Sequence, residues 1–180
     1  MSPTIFIDGE HGTTGLQIRT RLEKRKDIDL ISLAVGDRRN VGLRRQMLNE
    51  ADLVILCLPD EAARESVSMI ENPIVKVIDA STAHRVAEDW VYGMPEYDIN
   101  QKDLIAEAKR VSNPGCYAIA SIGLLHPLTS TGLLPSDFPI TINVISGYSG
   151  GGKTMIAEFE NPEGESYTEV PFRVYGMELE

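Results

Sequence analysis

Short apolar runs alternate with mixed apolar and polar stretches along the first 80 residues of the chain. The apolar runs predict four β-strands, at 4–8, 28–35, 53–58 and 75–79. The stretches between them predict helices, at 16–24, 43–50 and 61–70. Asp60 stands where the last of these helices needs an N-cap. Short apolar strands separated by helices indicate an α/β fold, a doubly wound parallel sheet with both faces covered.

The pattern changes after residue 80, where turn-forming residues become frequent. It predicts a short helix at 102–109, a buried helix at 118–125 and an alternating strand at 140–146. That strand would belong to a second sheet. We therefore divide the chain into a first domain at 1–112 and part of a second, α+β domain at 113–180.

Composition restricts the classes of partner. The chain has 180 residues and a net charge of −10, so we expect neither nucleic acid nor a membrane as partner, and a phosphate-bearing ligand would need a local positive site. No apolar run is long enough for a membrane helix, and we expect no signal sequence. The two cysteines, Cys57 and Cys116, lack metal-ligand spacing. This favours a reduced, cytoplasmic protein without a metal site.

A glycine-rich turn follows the first predicted strand. Residues 9–15 have the sequence GEHGTTG, with the spacing G-x-x-G-x-x-G between a strand and a helix. Glycines in this context let the backbone approach a pyrophosphate, and the helix N-terminus offers its N–H groups to the phosphates. The alternative is a purely structural turn. We favour a Rossmann-type dinucleotide site, with contacts from Gly9, Gly12, Thr13, Thr14 and Gly15.

The choice of cofactor depends on the end of the second strand, where an acidic residue would bind the ribose hydroxyls of NAD. Arg38 and Arg39 follow that strand and favour NADP, because they can hold its 2′-phosphate. The alternative is a solvated charged turn. Leu58 and Pro59 end the third strand, at the sheet edge where such folds bind ligands, and are further cofactor candidates. Cys57, in the same apolar run, is expected to pack.

The segment SNPGCY at 112–117 leads through a turn directly into the helix predicted at 118–125. It delivers Cys116 to a helix N-terminus, where unpaired N–H groups and the helix dipole favour a thiolate. A thiolate is a nucleophile that can attack an acyl carbon. The alternative is a buried, inert cysteine. The turn and the helix start favour the nucleophile.

A second glycine-rich segment, GYSGGGKT at 147–154, matches the P-loop pattern G-x-x-x-x-G-K-[ST]. The stretch 155–160 that follows is expected to be a poor helix, and no apolar strand ending in aspartate comes after it. These observations count against a P-loop NTPase, which stays a third alternative. Lys153 is kept as a contact for an anionic substrate.

The motifs together resemble those of the N-acetyl-gamma-glutamyl-phosphate reductase family, in the shorter of its two types. The resembling segments run through the chain: DGEHGTTG at 8–15, CLPD at 57–60, IDASTAHR at 78–85, YGMPE at 92–96, SNPGCY at 112–117 and SGYSGGGK at 146–153. Aspartate-semialdehyde dehydrogenases share the architecture but surround their cysteine differently.

The resemblance implies a two-domain, NADPH-dependent reductase of arginine biosynthesis, with its dinucleotide-binding domain at 1–112. It would convert N-acetyl-L-glutamyl 5-phosphate to the 5-semialdehyde and phosphate through a thioester on Cys116. Arg85 matches the family's substrate-binding arginine, and Ser149 and Gly150 match a loop near the cysteine. The expected partners are the small acyl phosphate and further copies of the chain. The alternatives are a related semialdehyde dehydrogenase and a non-catalytic dinucleotide-binding module.

The family carries an acid–base histidine in residues beyond those present here, so we expect this chain to be a partial form. His126 is ten positions after Cys116, about 15 Å along one helix, whereas proton transfer needs about 3 Å. We expect it to end its helix before Pro127. His11 lies in the cofactor turn. His84 is the one candidate to replace the missing histidine.

Overall fold

The computed structural model describes residues 2–169. Its strands are β1 (Thr4–Asp8), β2 (Asp29–Ile31), β3 (Leu53–Leu56), β4 (Lys76–Asp79), β5 (Val91–Tyr92) and β6 (Arg110–Ser112). Its α-helices are α1 (Thr13–Leu22), α2 (Val41–Glu50), α3 (Asp60–Ser68), α4 (Gln101–Glu107), α5 (Cys116–Ser130) and α6 (Gly152–Glu160). The strands form one parallel sheet in the order β2-β1-β3-β4-β6-β5, which confirms the predicted α/β fold.

The sheet is covered on both faces because alternate residues of its central strands point in opposite directions. On β1, Phe6 belongs to a buried cluster that includes Leu48 of α2 and Ala63 of α3. Its neighbour Ile7 belongs to a second cluster, against which Ile18 of α1 packs. Helix α1 therefore covers one face, and α2 and α3 cover the other. This is the doubly wound arrangement that the sequence predicts.

The boundaries agree closely with the prediction for β1, β3 and β4 but not for every element. β2 ends at Ile31, so the rest of the strand predicted at 28–35 is irregular chain leading to the exposed turn that carries Arg38 and Arg39. α1 begins directly after Gly12, earlier than the predicted start at residue 16. β5 and β6 are not predicted as strands, because two and three residues are too short to show an alternating pattern.

Asp60 does not cap α3, so this prediction is wrong. The N-cap is Pro59, which makes no side-chain cap hydrogen bond. The Asp60 carboxylate accepts hydrogen bonds from the backbone N–H of Thr82, at 3.0 Å, and from its hydroxyl group. The hydroxyl group's hydrogen bond holds the pKa of Asp60 below its ordinary value. A residue distant in sequence thus offers this carboxylate two donors and ties α3 to the loop after β4.

The chain after residue 112 packs less than the sequence predicts. No residue of α5 is buried, and Leu124 is 73% exposed, so the predicted burial of 118–125 is wrong. The helix also continues past Pro127, so His126 does not end it. The strand predicted at 140–146 is not found, because a strand needs a partner and none among residues 2–169 pairs with it. The poor helix expected at 155–160 is part of the regular helix α6.

None of the helices in residues 2–169 has both the length and the apolar character that crossing a bilayer requires.

Candidate functional site

The carboxyl ends of the parallel strands lie along one edge of the sheet, where ligands bind in such folds. Adjacent strands are about 4.8 Å apart, so β1 and β6, three positions apart in the sheet, are separated by about 14 Å. The predicted site residues follow these ends in the order of the sheet: Arg38 and Arg39 after β2, the glycine turn 9–15 after β1, Leu58 and Pro59 after β3, Arg85 after β4, and Cys116 after β6.

The glycine turn is so tight that two of its positions exclude a side chain. Gly9 has a φ of +91°, and a Cβ there would lie 2.3 Å from the carbonyl oxygen of Cys57. A Cβ on Gly15 would lie 2.2 Å from the carbonyl oxygen of Gly9. Gly12 donates its N–H to the same Gly9 oxygen at 2.9 Å and is the N-cap of α1. The chain thus turns sharply from β1 into α1, and the first N–H groups of α1 have no helical partner.

A cavity of about 510 Å³ lies at this turn. The residues predicted to bind the cofactor that line it are Gly9, Gly12, Arg38, Arg39 and Leu58. The remaining predicted contacts are residues 13–15 in the first turn of α1 and Pro59 at the start of α3. The tight glycine turn brings backbone N–H groups at the start of α1 to the cavity, which fits the diphosphate of a dinucleotide, and the arginines fit a further phosphate.

Two buried carboxylates line the cavity, and an arginine from a helix neutralises each. Arg44 of α2 donates to Asp8 at 3.0 Å, and Ser66 of α3 donates to the same oxygen at 2.8 Å. Arg19 of α1 pairs with Glu10 in the glycine turn. Sequence patterns do not reveal these pairs because the partners lie on different elements. One signal in the sequence could have indicated the first pair. Asp8 is an acidic residue at the end of an apolar strand, and a buried carboxylate needs a partner.

Three other residues give the cavity its positive charge. Arg38 and Arg39 line it from the exposed turn after β2, and Lys153 lines it from α6. The ion pairs of residues 2–169 include none of these three side chains. The cavity is therefore the local positive site that a phosphate ligand needs in a chain of net charge −10.

One residue of the segment with the P-loop pattern, Lys153, lines this cavity. Ser149 and Gly150 are exposed and form part of a 3₁₀ helix, Tyr148–Gly151, which leads into α6. α6 packs against α1, and Lys153 Nζ donates to the carbonyl oxygen of His11 in the glycine turn at 2.7 Å. The sequence predicts that Lys153 contacts an anionic substrate. The structure places its side chain at the glycine turn 9–15.

A buried hydrogen-bond network shapes the loop that carries Arg85. Asp79, the last residue of β4, is fully buried and accepts from the backbone N–H and the hydroxyl of Ser81, at 2.9 and 2.7 Å. Nδ1 of His84 lies 2.6 Å from the same carboxylate, and its ring stacks on Trp90 with centroids 4.3 Å apart. The structure thus gives His84 a part in holding the Arg85 loop.

Cys116 is exposed and is the first residue of α5, so the alternative of a buried cysteine is wrong. The turn before it is anchored to the sheet, since Asn113 donates its N–H to the carbonyl oxygen of Asp79 at 2.7 Å. His126 lies further along the same helix and stacks on Tyr97, with centroids 4.8 Å apart. The sulfur therefore stands at the carboxyl edge of the sheet, accessible to a small molecule.

The two cysteines should differ in their reactivity. Burial, together with the nearby carboxylates of Asp79 and Asp8, raises the pKa of Cys57 to about 11. We expect iodoacetamide to modify Cys116 at neutral pH and Cys57 only as the pH approaches 11, because the thiolate is the reacting form and Cys57 stays a thiol below that pH. Peptide mass spectrometry after timed labelling over a pH series measures both rates. Equal rates at neutral pH would contradict the prediction.

Known sequences match the chain along nearly all its length. Residues 35–106 match the semialdehyde dehydrogenase NAD binding domain, and residues 116–178 match the semialdehyde dehydrogenase dimerisation domain. The N-acetyl-gamma-glutamyl-phosphate reductase of Chelativorans sp. (strain BNC1) is 59% identical over 179 residues, 99% of this chain and 57% of that protein. The protein of the same name from Rhizobium etli (strain CIAT 652) is 53% identical over 180 residues, 99% of this chain and 58% of that protein. The chain thus spans little more than half the length of these relatives.

Solved structures share the fold. Aspartate semialdehyde dehydrogenase II from Vibrio cholerae, complexed with ASA, is similar with a TM-score of 0.64 and 18% identity, over 88% of this chain and 50% of that one. Aspartate semialdehyde dehydrogenase from Francisella tularensis is similar with a TM-score of 0.59 and 19% identity, over 88% of this chain and 48% of that one. At these identities the likeness concerns the architecture alone.

Proposed function

We propose that this chain, which belongs to the semialdehyde dehydrogenase family, carries the cofactor cavity and the nucleophile of an N-acetyl-gamma-glutamyl-phosphate reductase. The reaction is the NADPH-dependent reduction of N-acetyl-L-glutamyl 5-phosphate to the 5-semialdehyde and phosphate, a cytoplasmic step of arginine biosynthesis. The observation that carries the proposal is the sheet edge that aligns the glycine turn after β1 with the exposed Cys116 after β6. The names of relatives at 51–59% identity support the choice of substrate.

Cys116 is the nucleophile in this proposal. As the first residue of α5 it lies beside N–H groups that a helix leaves unpaired, which favour an anion. Its sulfur attacks the acyl carbon of the substrate. A C–S bond forms, the C–O bond to the phosphate breaks, and phosphate leaves with its negative charge. When bound in the cavity, NADPH supplies the hydride that reduces the resulting thioester.

Arg85 binds the charged groups of the substrate, with Ser149 and Gly150 as further contacts. The loop that carries Arg85 follows β4, which lies beside β6 in the sheet and therefore beside the turn that leads to Cys116. A guanidinium suits carboxylates and phosphates because its donors form a planar fork. The buried Asp79 network ties this loop to the end of β4, which reduces the ordering needed when the substrate binds.

In this proposal the two functions belong to consecutive domains of the chain. Residues 1–112 form the dinucleotide-binding domain, and residues 113–180 are part of the catalytic domain. The match of residues 116–178 to a dimerisation domain supports assembly from identical subunits.

Replacing both Arg38 and Arg39 by methionine is expected to weaken NADPH binding at least about 100-fold, since two charged hydrogen bonds to the 2′-phosphate are lost and each is worth about 1.5–3 kcal/mol. NADH binding should stay within about twofold, because NADH lacks that phosphate. Isothermal titration calorimetry measures both affinities. The matched control replaces Arg21 and Arg25, two exposed arginines outside the cavity lining. Equal losses for the two cofactors would contradict the assignment.

The reductase activity itself is tested in an enzyme that extends this chain to the full length of its relatives, mixed with NADPH and N-acetyl-L-glutamyl 5-phosphate. We expect NADPH oxidation and phosphate release in equal amounts, and, without the cofactor, an acyl group on Cys116 in the intact mass. Cofactor binding without acylation would identify a non-catalytic dinucleotide-binding module. Turnover of an aspartyl phosphate in place of the glutamyl one would identify a related semialdehyde dehydrogenase.

A further inference from the structure

We propose that Lys153 binds the diphosphate of the dinucleotide, so that the glycine-rich segment 147–154 completes the site built by the glycine turn 9–15. This inference rests on the dinucleotide cavity of the proposed function and adds to it a binding residue from the chain beyond the sheet. Lys153 Nζ donates to the carbonyl oxygen of His11 at 2.7 Å, across 142 positions of sequence.

This contact places the ammonium group of Lys153 at the rim of the glycine turn 9–15. His11 lies between Gly9 and Gly12, and all three residues line the cavity together with Lys153. In such a turn the N–H groups at the start of the following helix bind the diphosphate. A cation bonded to the turn's own carbonyl oxygen is therefore within reach of the same anion.

None of the described carboxylates forms an ion pair with the ammonium group in this position. A carbonyl oxygen accepts one of its three N–H donors and carries no net charge. The two carboxylates of the cavity, Asp8 and Glu10, are paired with Arg44 and Arg19. Lys153 takes part in no ion pair of the described residues. Its positive charge and its other donors are thus available to a phosphate in the cavity.

The local structure explains how a P-loop-like sequence serves a neighbouring site. Residues Tyr148–Gly151 form a 3₁₀ helix, and Gly152, with a φ of +72°, turns the chain into α6. Lys153 is the second residue of α6. This helix packs against α1, which follows the glycine turn 9–15. In a P-loop the lysine reaches a phosphate held by its own loop. Here the lysine reaches across to the turn after β1.

Lys153 and the arginine pair act on different phosphates. His11 follows β1, whereas Arg38 and Arg39 follow β2, the neighbouring strand of the sheet. In a doubly wound fold the diphosphate lies over the first strand–helix turn, and the 2′-phosphate lies beside the second strand. Ligands that carry only one of these groups therefore separate the two roles.

The test measures binding of NADPH, NADH, ADP-ribose and 2′-AMP to the protein by isothermal titration calorimetry. ADP-ribose carries the diphosphate without the 2′-phosphate, and 2′-AMP carries the reverse. We expect Lys153→Met to weaken NADPH, NADH and ADP-ribose by about 10-fold each, as loss of a charged hydrogen bond does, and to leave 2′-AMP unchanged. Lys153→Arg should restore most of the affinity. The matched control is Lys102→Met, an exposed lysine on α4 outside the cavity lining.

The other outcomes contradict either the role of Lys153 or the proposed function. Unchanged affinities in Lys153→Met overturn the role of Lys153, and so does a loss confined to the ligands with a 2′-phosphate. A lowered melting temperature in Lys153→Met with no selectivity among the four ligands assigns Lys153 to stability and also overturns the proposal. If the unmodified protein binds none of the ligands, the cofactor cavity and the Lys153 role both fail. The predicted binding pattern without acylation of Cys116 supports Lys153 and rejects the reductase.

Discussion

Replacing Cys116 by serine, in an enzyme that extends this chain to the full length of its relatives, is expected to lower turnover at least about 10³-fold, as loss of a catalytic nucleophile does. Serine preserves the shape of the side chain, but its hydroxyl is a far weaker nucleophile than a sulfur placed at a helix N-terminus. NADPH binding should stay within about twofold, because Cys116 does not line the dinucleotide cavity. Steady-state kinetics and calorimetric titration of the same preparation measure the two effects together.

The cysteine variants also separate reactivity from catalysis. In Cys57→Ser, iodoacetamide should still inactivate the protein, because the target is the exposed Cys116. Incubation of Cys116→Ser with the acyl phosphate should produce no acylated protein in the intact mass. A Cys116→Ser protein that keeps more than about a tenth of the turnover, or that still becomes acylated, would remove this residue from the mechanism.

Replacing Gly9 by alanine is expected to destabilise the fold by about 3 kcal/mol or more and to abolish dinucleotide binding. An alanine at a φ of +91° is strained by about 1–3 kcal/mol. Its Cβ would lie 2.3 Å from the carbonyl oxygen of Cys57, so the backbone of β3 or of the turn must also shift, at a similar cost. Urea denaturation followed by circular dichroism measures the change in the free energy of unfolding.

Gly36 provides the matched control. It lies in the exposed turn after β2, its φ is not positive, and a Cβ there would have nothing within 4 Å. Gly36→Ala should therefore change the free energy of unfolding by no more than about 0.5 kcal/mol. If Gly9→Ala were as stable as Gly36→Ala and kept its cofactor affinity, the turn would accommodate a Cβ at position 9, and the prediction would be wrong.

The sheet was predictable because its signals are local. β1, β3 and β4 are apolar runs bounded by turn residues, and such runs are visible within a few positions of sequence. The spacing of glycines between β1 and α1 was visible in the same way, and so was the helix start at Cys116. β5 and β6 were not predicted, since these strands form where neighbours in the sheet complete their hydrogen bonds.

Partners far away in sequence decide where some side chains lie. Asp60 has the residue type of an N-cap, but Thr82 offers it two donors, so it leaves its own helix uncapped. Lys153 has the sequence context of a substrate contact or a P-loop, but α6 packs on α1 and brings it to His11. Local patterns contain no information about which distant groups will lie within a few ångströms.

The amino-acid sequence alone determined the doubly wound sheet, the glycine turn and the helix that begins at Cys116, because strand alternation, glycine conformation and helix starts depend on adjacent residues. Only the tertiary structure decided how the charges of the dinucleotide cavity are arranged. Asp8 and Glu10 are paired with arginines from α2 and α1, whereas Lys153, which is in no ion pair of residues 2–169, lies at the rim. Burial makes an unpaired carboxylate costly, so the partners are chosen by the packing of helices on the sheet and not by their place in the chain.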